Sequence, residues 1–547
     1  MIKNVKSIVI SFILALFTLP VTVIAEETFQ TEVQSRLDSL TEDTSYLKID
    51  SQIIYSSPII TKLYQSNGYQ LIWNNKLIPV LRKEILKLQD DGLNPDDYWL
   101  PSIDILLNKQ QQGLLDISSS VDLDLLLSEN FFRAYYNLLI GKVDPEALDK
   151  NFNFSQPFDR KDIRPKLIAL LEDGKVEEIL KQARPTHKRY DSLKNVLARY
   201  REYQNTGSWV TIQSGKTLRL GDKNTRISQV RAQLITTNDY IGTTENPELF
   251  DVELKTAVKH FQERHELDND GVIGAKTLAE MNVSVEQRID QLRINLERQR
   301  WYYHKLKGEF IAVDIAGFHV YWMKDNKLFW EAKSQVGKQF TQTPVFKDVI
   351  RYIDFNPTWT IPAGIKRRSI LPNLKKDPEY LVKKGYLLLT MDGKEVDSTS
   401  IDWKSLNHIP YIVRQPAGPN NALGLVKFMF PNKHAVYLHD TNNKNYFSRT
   451  SRSFSAGCVR VDKPFDFAER LLADQDGWNR EKIDAVIASG KTTRVNLKKP
   501  IKIVIGYSTA FIRDGNVFFR NDIYNRDSKL LTALNGPFKV RAQDRQN

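Results

Sequence analysis

The chain has 547 residues, of which 41% are hydrophobic and 26% are charged, and its formal net charge is +12. This length exceeds what a single hydrophobic core supports and predicts about three or four domains. The lysines are spread along the chain rather than clustered, which argues against a nucleic-acid module. The positive charge suits an anionic polymer such as a cell wall or an anionic membrane face, and charge alone does not decide between them.

The first 25 residues are predicted to be a secretory signal. Lys3 and Lys6 precede an apolar run over residues 8–19, and small residues with the spacing of a cleavage site end at Ala25. Cleavage would remove two lysines and no acidic residue, so the formal net charge would fall from +12 to +10. The run is shorter than the about twenty apolar residues of a membrane span, and an uncleaved anchor is the alternative.

Residues 26–210 are predicted to form a helical scaffold domain. Apolar side chains recur at three- and four-residue spacing between Ile59 and Leu88, and a second strong helix over residues 125–140 stops at Gly141. The segment contains no recognisable constellation of catalytic residues. We therefore interpret it as a scaffold.

Residues 213–284 are predicted to form a small three-helix unit. An opening Leu-x-x-Gly-Asp at 218–222, Ala-Val-x-x-Phe-Gln at 257–262 and Asp-Gly-Val-Ile-Gly-x-x-Thr at 270–277 resemble the peptidoglycan-binding module. His260 and His265 lie five residues apart without a third ligand nearby in the sequence, so we expect no zinc site.

The character of the sequence changes after a connecting helix, which is expected over residues 285–307. Strand-like runs then predict a mostly β catalytic domain over residues 308–500. Residues 363–418 are polar and helical, and we interpret them as a lid inserted over the site. Residues 501–547 are predicted to form C-terminal strands and a tail. The expected fold class is multidomain α+β.

The chain has one cysteine, Cys458, which follows Gly457 and lies nineteen residues after His439. An unpaired cysteine in a secreted protein is a candidate reactive thiol, and it needs a base or a positive field to ionise. His439 ends a strand-like run and would be that base, while Arg452 and Arg460 would add positive potential. Gly457 would let a carbonyl oxygen reach backbone N–H groups that form an oxyanion hole. The pattern predicts acyl transfer by a cysteine thiolate.

The segment from His439 through Ser-Ala-Gly-Cys-Val-Arg at 455–460 to Pro464 resembles the L,D-transpeptidase (YkuD) catalytic domain. Further phrases of that family match at 343–346, 355–359 and 421–424. The scaffold, wall-binding module and lid together are similar to the long periplasmic YcbB-like type. Ala456 departs from the family, because many members carry a histidine there, and this leaves His439 as the only candidate base.

The resemblance implies that Cys458 attacks the carbonyl of the third residue of a tetrapeptide stem and expels D-alanine. The side-chain amine of another stem would then resolve the thioester and complete a 3→3 cross-link. His439 would act as general base and then as general acid, and a backbone carbonyl near Asp440 would orient its other ring nitrogen. The candidate substrate-binding residues are Tyr437, Arg460, Trp359, Asn356 and Ser455. For Tyr437 and Trp359 packing is the competing interpretation, and for Arg460 it is bracing of the loop.

The partners implied by the resemblance are peptidoglycan stem peptides and glycan, with penicillin-binding proteins or D,D-carboxypeptidases acting on the same material. No cofactor, metal or nucleic acid is expected. The implied location is the periplasm of a Gram-negative bacterium, with contact to the inner membrane only if the signal is uncleaved.

Three alternatives stay open at the level of sequence. The first keeps the thioester but changes the acyl acceptor to water, a D-amino acid or a protein lysine; a large lid favours excluding water. The second is a catalytically inactive wall-binding protein. The third is a metal site built from His434, His439 and Cys458, which lacks the usual number of ligands.

Overall fold

A computed structural model describes residues 21–40, 46–49, 52–154, 171, 173–302, 306, 308–539 and 541. The predicted signal therefore lies outside the described residues except for positions 21–25, where the first helix begins. Within the described ranges, none of the helices combines the length and the apolar character that crossing a membrane requires.

The N-terminal region is helical, as the sequence predicts. Its helices are α1 (Val21–Asp38), α2 (Ser57–Ser66), α3 (Leu77–Leu86), α4 (Pro101–Gln111), α5 (Ile117–Ile140), α6 (Pro145–Leu148), α7 (Val176–Ala183) and α8 (Lys188–Thr206), with a hairpin of β1 (Leu47–Ile49) and β2 (Gln52–Ile54) after the first. Helix α5 is the central one and is buried along most of its length. It begins at Asp116, whose side chain accepts the Ser119 N–H, and ends at Gly141, where φ is +93°.

The predicted three-helix unit consists of α9 (Arg226–Thr236), α10 (Val252–Arg264) and α11 (Ala275–Met281) around a small apolar core. The buried Gln262 accounts for the spacing of two of its motifs, because its amide joins α10 to the turn before α11. Its Nε2 donates to Asp270 and to the Val272 carbonyl, and its Oε1 accepts the Gly271 N–H at 2.8 Å.

The two histidines of this unit face carboxylates on separate sides of it. His260 Nδ1 lies 2.7 Å from Asp239, and His265 Nδ1 lies 2.9 Å from Glu280. Each imidazole is therefore engaged in its own contact.

Helix α12 (Val285–Tyr302) is the predicted connecting helix, and it carries buried charges rather than an apolar face alone. Arg300 and Glu297 pair at 2.6 Å with both side chains fully buried. Arg300 also donates to the Asp91 carbonyl and to the Tyr190 hydroxyl, while Glu297 accepts the Val143 N–H. Helix α12 thus holds three separate segments of the scaffold together.

A mostly β region follows α12. Its strands are β3 (Phe310–Asp314), β4 (His319–Lys324), β5 (Lys327–Gly337), β6 (Phe346–Phe355), β7 (Trp359–Thr360), β8 (Leu387–Leu389), β9 (Ile412–Gln415), β10 (Val426–Met429), β11 (Leu438–His439), β12 (Ser453–Ser455), β13 (Val459–Val461) and β14 (Thr493–Gly506). Nine of these described strands form one sheet in the order β12-β5-β13-β11-β10-β6-β14-β3-β4. An additional pairing of β4 with β5 closes the sheet on itself.

Strand β14 corrects the domain boundary expected at residue 500. It extends from Thr493 to Gly506 and pairs with β6 and β3. Its register against β6 shifts between Asn496 and Ile501. Residues 501–506, which the sequence assigns to the C-terminal part, therefore belong to an interior strand of the main sheet.

The lid is a small mixed unit rather than a purely helical one. It contains the short helices α13 (Ala363–Ile365), α14 (Leu371–Leu374) and α15 (Tyr380–Lys383), and strands β7, β9 and β8 form a separate sheet beside them. Its own core surrounds Trp403, which is 2% exposed. Trp359 pairs with Gln415 across the base, so the chain leaves and re-enters the main domain at neighbouring points.

The remaining elements cover the sheet and connect it to the scaffold. Helices α16 (Pro464–Leu472) and α17 (Arg480–Ala488) pack on the apolar core of the main sheet. The hairpin of β15 (Ala510–Arg513) and β16 (Asn516–Phe519) is followed by α18 (Asp527–Asn535). The sequence analysis did not predict α18, whose Leu530 and Leu534 are part of the scaffold core.

Candidate active site

His439 ends β11, and Cys458 directly precedes β13, the strand that runs parallel beside it. In β11 and β13, Leu438 is opposite Val459 and His439 is opposite Arg460. Successive side chains of a strand point to opposite faces, so residues two apart share a face. Tyr437 and Cys458, each two residues earlier, therefore lie on the same face as His439 and Arg460.

A row of polar side chains extends this face across the sheet. Lys427 is opposite His439, Asp354 is opposite Lys427, and Arg494 is opposite Asp354. On the other side, Gln335 is opposite Arg460. We call these six residues the polar row: Gln335, Arg460, His439, Lys427, Asp354 and Arg494. The intervening positions of the same strands face the apolar core.

The Cys458 side chain is half-buried, and Tyr437 lies beside its sulfur. Hydrogen bonding from the Tyr437 backbone and hydroxyl favours the thiolate form of Cys458. Burial raises the pKa of the Cys458 thiol, while these hydrogen bonds and the charges of Lys427 and Arg460 oppose that rise. Cys458 is therefore a thiol at rest, and its sulfur donates to the Ala435 carbonyl oxygen, 3.7 Å away.

His439 is 3% exposed, and burial lowers the pKa of its imidazole to about 3, with the charge of Arg460 acting in the same direction. The ring is neutral at physiological pH and can accept a proton. The backbone of Asp440 and of Leu423 opposes the pKa shift, in line with the expected backbone partner near Asp440. Within the described residues, no hydrogen bond joins His439 to Cys458 and Nδ1 of His439 has no well-aligned partner; such bonds often tighten only when substrate binds.

The loop that carries the cysteine is held by two hydroxyl groups. Ser455 Oγ accepts the Gly457 N–H at 3.1 Å and donates to the Cys458 carbonyl at 2.5 Å. Thr343 Oγ1 donates to the Gly457 carbonyl at 2.8 Å and accepts the Gly337 N–H. Gly457 has φ of +125°, which a residue with a Cβ adopts only with strain.

These contacts alter two of the expected roles. The Gly457 N–H is engaged by Ser455, so in this conformation it is not the free oxyanion donor that the sequence suggests. Ser455 is 3% exposed and uses its hydroxyl to brace the loop rather than to face a substrate. The Cys458 N–H, for which no hydrogen bond is found in the described chain, is the better-placed donor for an oxyanion.

Two other residues named from the sequence lie away from the thiol. Asn356 is 1% exposed, and its Nδ2 donates to the Val486 carbonyl at the end of α17, which makes it a structural residue. Arg452 donates to the Ser334 and Phe318 carbonyls and is not near the sulfur.

Trp359 and Arg460 lie beside the site. The Trp359 side chain hydrogen-bonds the Tyr437 hydroxyl, at the point where the lid begins. Arg460 Nη1 donates to Gln335 at 3.1 Å, while its buried Nε has no partner among the described residues. Both positions are compatible with substrate contact.

Sequence reasoning missed Lys427 and Ala435. Lys427 and Met429 are two residues apart in a short strand, a pattern that does not reveal a role for the lysine. Only the pairing of β10 with β11 places Lys427 on the face of the thiol. Ala435 has φ of +52°, and its carbonyl oxygen accepts from the Cys458 thiol.

Comparison with known families assigns three parts of the chain. Residues 308–497 match the YkuD model, described as the L,D-transpeptidase catalytic domain. Residues 58–197 match a scaffold domain, and residues 223–281 match the "Putative peptidoglycan binding domain". The chain contains an L,D-transpeptidase catalytic domain. Its matched range includes Tyr437, His439 and Cys458, together with the whole lid.

A protein from Haemophilus influenzae is similar in sequence to this chain. It is named "Putative L,D-transpeptidase" and is 37% identical over 252 residues, which cover 46% of this chain and 51% of the relative. The chain thus spans about half the length of the curated relative that it matches.

Two solved L,D-transpeptidases are also similar. The structure from Xylanimonas cellulosilytica has 10% identity and a TM-score of 0.18, covering 54% of this chain and 99% of that one. The structure from Stackebrandtia nassauensis has 13% identity and a TM-score of 0.21, covering 54% and 96%. At these TM-scores neither structure supports an argument about this fold.

Proposed function

We propose that the protein forms 3→3 peptidoglycan cross-links through a thioester on Cys458. The observation that carries this proposal is the common face of Tyr437, His439, Cys458 and Arg460 within an L,D-transpeptidase catalytic domain. The peptidoglycan-binding match and the basic composition support a cell-wall polymer as substrate.

The first half-reaction would form the acyl-enzyme. The Cys458 thiol passes its proton to the neutral His439 as the sulfur bonds to the carbonyl carbon of the third stem residue. The Cys458 N–H stabilises the negative oxygen of the tetrahedral intermediate. Collapse breaks the peptide bond, and His439 returns the proton to the departing D-alanine amine.

The second half-reaction would release the product. The side-chain amine of another stem attacks the thioester carbonyl and transfers a proton to His439. The carbon–sulfur bond then breaks, and the thiolate is reprotonated. Hydrogen bonding from Tyr437 to the sulfur would stabilise the thiolate in both half-reactions.

The lid and the predicted signal complete the proposal. Trp359 connects the lid base to Tyr437, so the lid adjoins the acylation site and would hold two stems while excluding water.

A cell-wall location, the periplasm of a Gram-negative bacterium, follows from the predicted signal and from the substrate. Penicillin-binding proteins and D,D-carboxypeptidases would supply or share these stems.

The experiment is intact-protein mass spectrometry of the mature chain mixed with a disaccharide-tetrapeptide. We expect a thioacyl adduct that has lost D-alanine, no adduct in Cys458→Ala, and a rate about 10²–10⁴-fold lower in His439→Ala. Products from the same mixture identify the acceptor: dimer for cross-linking, tripeptide for hydrolysis, and exchanged stems when a D-amino acid is added.

A protein lysine as acceptor would appear as a stem-protein conjugate when a candidate protein is included. A folded wild-type protein that forms neither adduct nor product, and that does not react with a carbapenem, would favour the inactive wall-binding alternative. Activity lost in chelator would favour the metal alternative, although the His434 ring packs on Phe346 with centroids 4.8 Å apart.

A further inference from the structure

Lys427 is a charged side chain whose place in the sheet is not explained by packing. It lies on β10 directly opposite His439, in the polar row and on the same face as Cys458. Its Nζ lies 4.1 Å from the centroid of the Tyr437 ring. Tyr437 in turn hydrogen-bonds the Cys458 sulfur, so one aromatic ring separates the ammonium group from the nucleophile.

The charge of Lys427 is not neutralised by a neighbouring carboxylate. Asp354 is its strand partner on β6, but both Asp354 oxygens are taken by Arg494, at 2.7 and 3.1 Å. Within the described residues, no carboxylate oxygen lies within 4.0 Å of Lys427 Nζ. The side chain is also half-buried, and burial lowers the pKa of its ammonium group.

An unpaired, half-buried cation is unfavourable unless an anion forms beside it. The groups that face Cys458 are Tyr437 just before β11, His439 on β11, Arg460 on β13 and Lys427 on β10. His439 is neutral, and Arg460 donates to Gln335, so Lys427 is the cation of this set without a polar partner. The anion that the reaction forms on this face is the Cys458 thiolate.

We propose that Lys427 is a positioning residue for the nucleophile: its ammonium group packs on Tyr437, orients that ring toward the sulfur, and stabilises the Cys458 thiolate electrostatically. It acts twice in a turnover, when the thiol loses its proton and when the thiolate leaves the thioester. A cation–π contact suits this role because it leaves the ammonium charge free of a competing anion.

The expected size of the effect follows from Coulomb's law. In general, two unit charges about 7 Å apart at an effective dielectric constant of about 20 interact strongly enough to change a thiol pKa by about one to two units. Removing the charge in Lys427→Met should raise the apparent thiol pKa by at least about one unit. Lys427→Arg keeps a cation and should leave the pKa within about half a unit of the wild-type value.

The test is the pH profile of alkylation by iodoacetamide, followed by intact mass. The chain has one cysteine, so every adduct reports on Cys458. The fitted value is the pH at which the rate reaches half of its upper plateau. Lys502→Met is the matched control, because Lys502 is an exposed lysine on β14 of the same sheet, and we expect its profile to equal that of the wild type.

An unshifted profile in Lys427→Met, or an equal shift in the methionine and arginine variants, would overturn the proposal and assign Lys427 to packing. Lys427→Gln replaces the methionine variant if that protein does not fold. The inference rests on the proposed role of Cys458 as nucleophile, but alkylation measures the thiol alone. If Lys427→Met shows the expected rise in thiol pKa but the wild type forms no cross-linked product, the electrostatic role stands and the proposed function is rejected. If the wild type forms cross-links but the thiol pKa does not shift, the proposed function stands and the role of Lys427 is rejected.

Discussion

Ser455 shows how a single hydroxyl group holds the loop that carries Cys458. Ser455 is 3% exposed, and its hydroxyl hydrogen-bonds both the Gly457 N–H and the Cys458 carbonyl. The geometry of the loop, and with it the direction of the Cys458 N–H, depends on these two bonds. Ser455 is therefore a positioning residue rather than the substrate contact suggested by its place in the motif.

We expect Ser455→Ala to lower both stability and reactivity. The substitution leaves a buried N–H and a buried carbonyl without a partner, which costs about 1–3 kcal/mol of unfolding free energy. A loosened loop should also reduce the rate of adduct formation with the tetrapeptide by about 10–100-fold. Ser448→Ala, which removes an exposed hydroxyl bonded only to the Asn445 carbonyl, is the control and should change neither quantity. Wild-type reactivity in Ser455→Ala would show that the loop holds its shape without this bridge.

The pKa values of the pair predict how acylation depends on pH. The His439 pKa of about 3 and the raised Cys458 pKa leave both groups neutral across the physiological range. Acylation by a carbapenem, which needs no acceptor amine, should therefore have the same rate constant from about pH 5 to about pH 8. A rate that falls through pH 6 would show that the pair works as a preformed thiolate–imidazolium instead.

The stability of the protein, unlike the acylation rate, should fall at acidic pH because of His439. An unfolded histidine binds a proton near pH 6.5, whereas the folded one does so only near 3, so His439 contributes stability that is complete above about pH 6.5. That contribution is lost as the pH falls toward 3. In urea unfolding, His439→Phe should show a shallower loss between pH 6.5 and 4 than the wild type, and an unchanged slope would contradict this assignment.

The residues of the site differ in how far sequence reveals them. Cys458 and His439 stand at strand ends beside a glycine motif, which is a local signal. Lys427 has no local signal, because its role depends on which strand pairs with which and in what register. Asn356 carries a local signal that misleads, since its side chain serves the end of α17 and its φ is +46°.

At the scale of elements, the lid is the feature with the clearest test. Thr360 is paired with Arg414 at its base, so an Asn-Gly turn in place of residues 361–413 would close a two-residue hairpin on an existing register. We expect the main sheet to fold and the products to shift from dimer toward tripeptide, because water then reaches the thioester. An unchanged dimer-to-tripeptide ratio would remove the lid from the explanation of acceptor choice.

A milder variant of the same test weakens the lid from within. Trp403 is 2% exposed, and its indole N–H donates to the Ser398 carbonyl at 2.8 Å. Trp403→Ala should cost the lid about 3–5 kcal/mol and shift the products in the same direction. Lys404→Ala, at the exposed neighbouring position, is the control.

The element boundaries that the sequence misplaces have physical causes. Lys498, Lys499 and Pro500 interrupt the apolar pattern, and a proline lacks the N–H that a strand ladder uses. Strand β14 accommodates them as an irregularity between Asn496 and Ile501 and then continues. Helix α18 is only nine residues long, too short for its periodicity to stand out from a polar tail.

At the scale of the whole molecule, buried charges on α12 join the scaffold to the rest. Glu297→Ala would leave Arg300 buried without its carboxylate and should reduce the unfolding free energy by about 3–5 kcal/mol. The double variant Glu297→Met with Arg300→Met should be less destabilised than Glu297→Ala, because it leaves no buried charge without a partner. Urea unfolding followed by circular dichroism measures both.

Lys175 and Asp173 provide the comparison for that prediction. They form an exposed pair 3.0 Å apart, and Asp173→Ala should change stability by at most about 1 kcal/mol. Equal effects of Asp173→Ala and Glu297→Ala would show that burial of the α12 pair is not what makes it important.

The domain order along the chain follows from local patterns, but the return of α18 to the scaffold does not. Leu530 and Leu534 enter the N-terminal core, and Lys142 Nζ donates to the Leu534 carbonyl across 392 residues of sequence. Contacts so distant along the chain leave no periodic trace. They are visible only once the chain is folded.

This return has a consequence for how the protein comes to be folded. A ribosome or an export channel delivers the scaffold segments first, yet part of their apolar surface is covered by side chains near residue 530. The scaffold must therefore remain incomplete while almost four hundred further residues emerge, a span that makes the closing step slow and leaves an aggregation-prone surface exposed in the meantime. A chaperone that shields this surface would have its greatest effect during that interval, and a chain shortened before Asp527 would require it permanently.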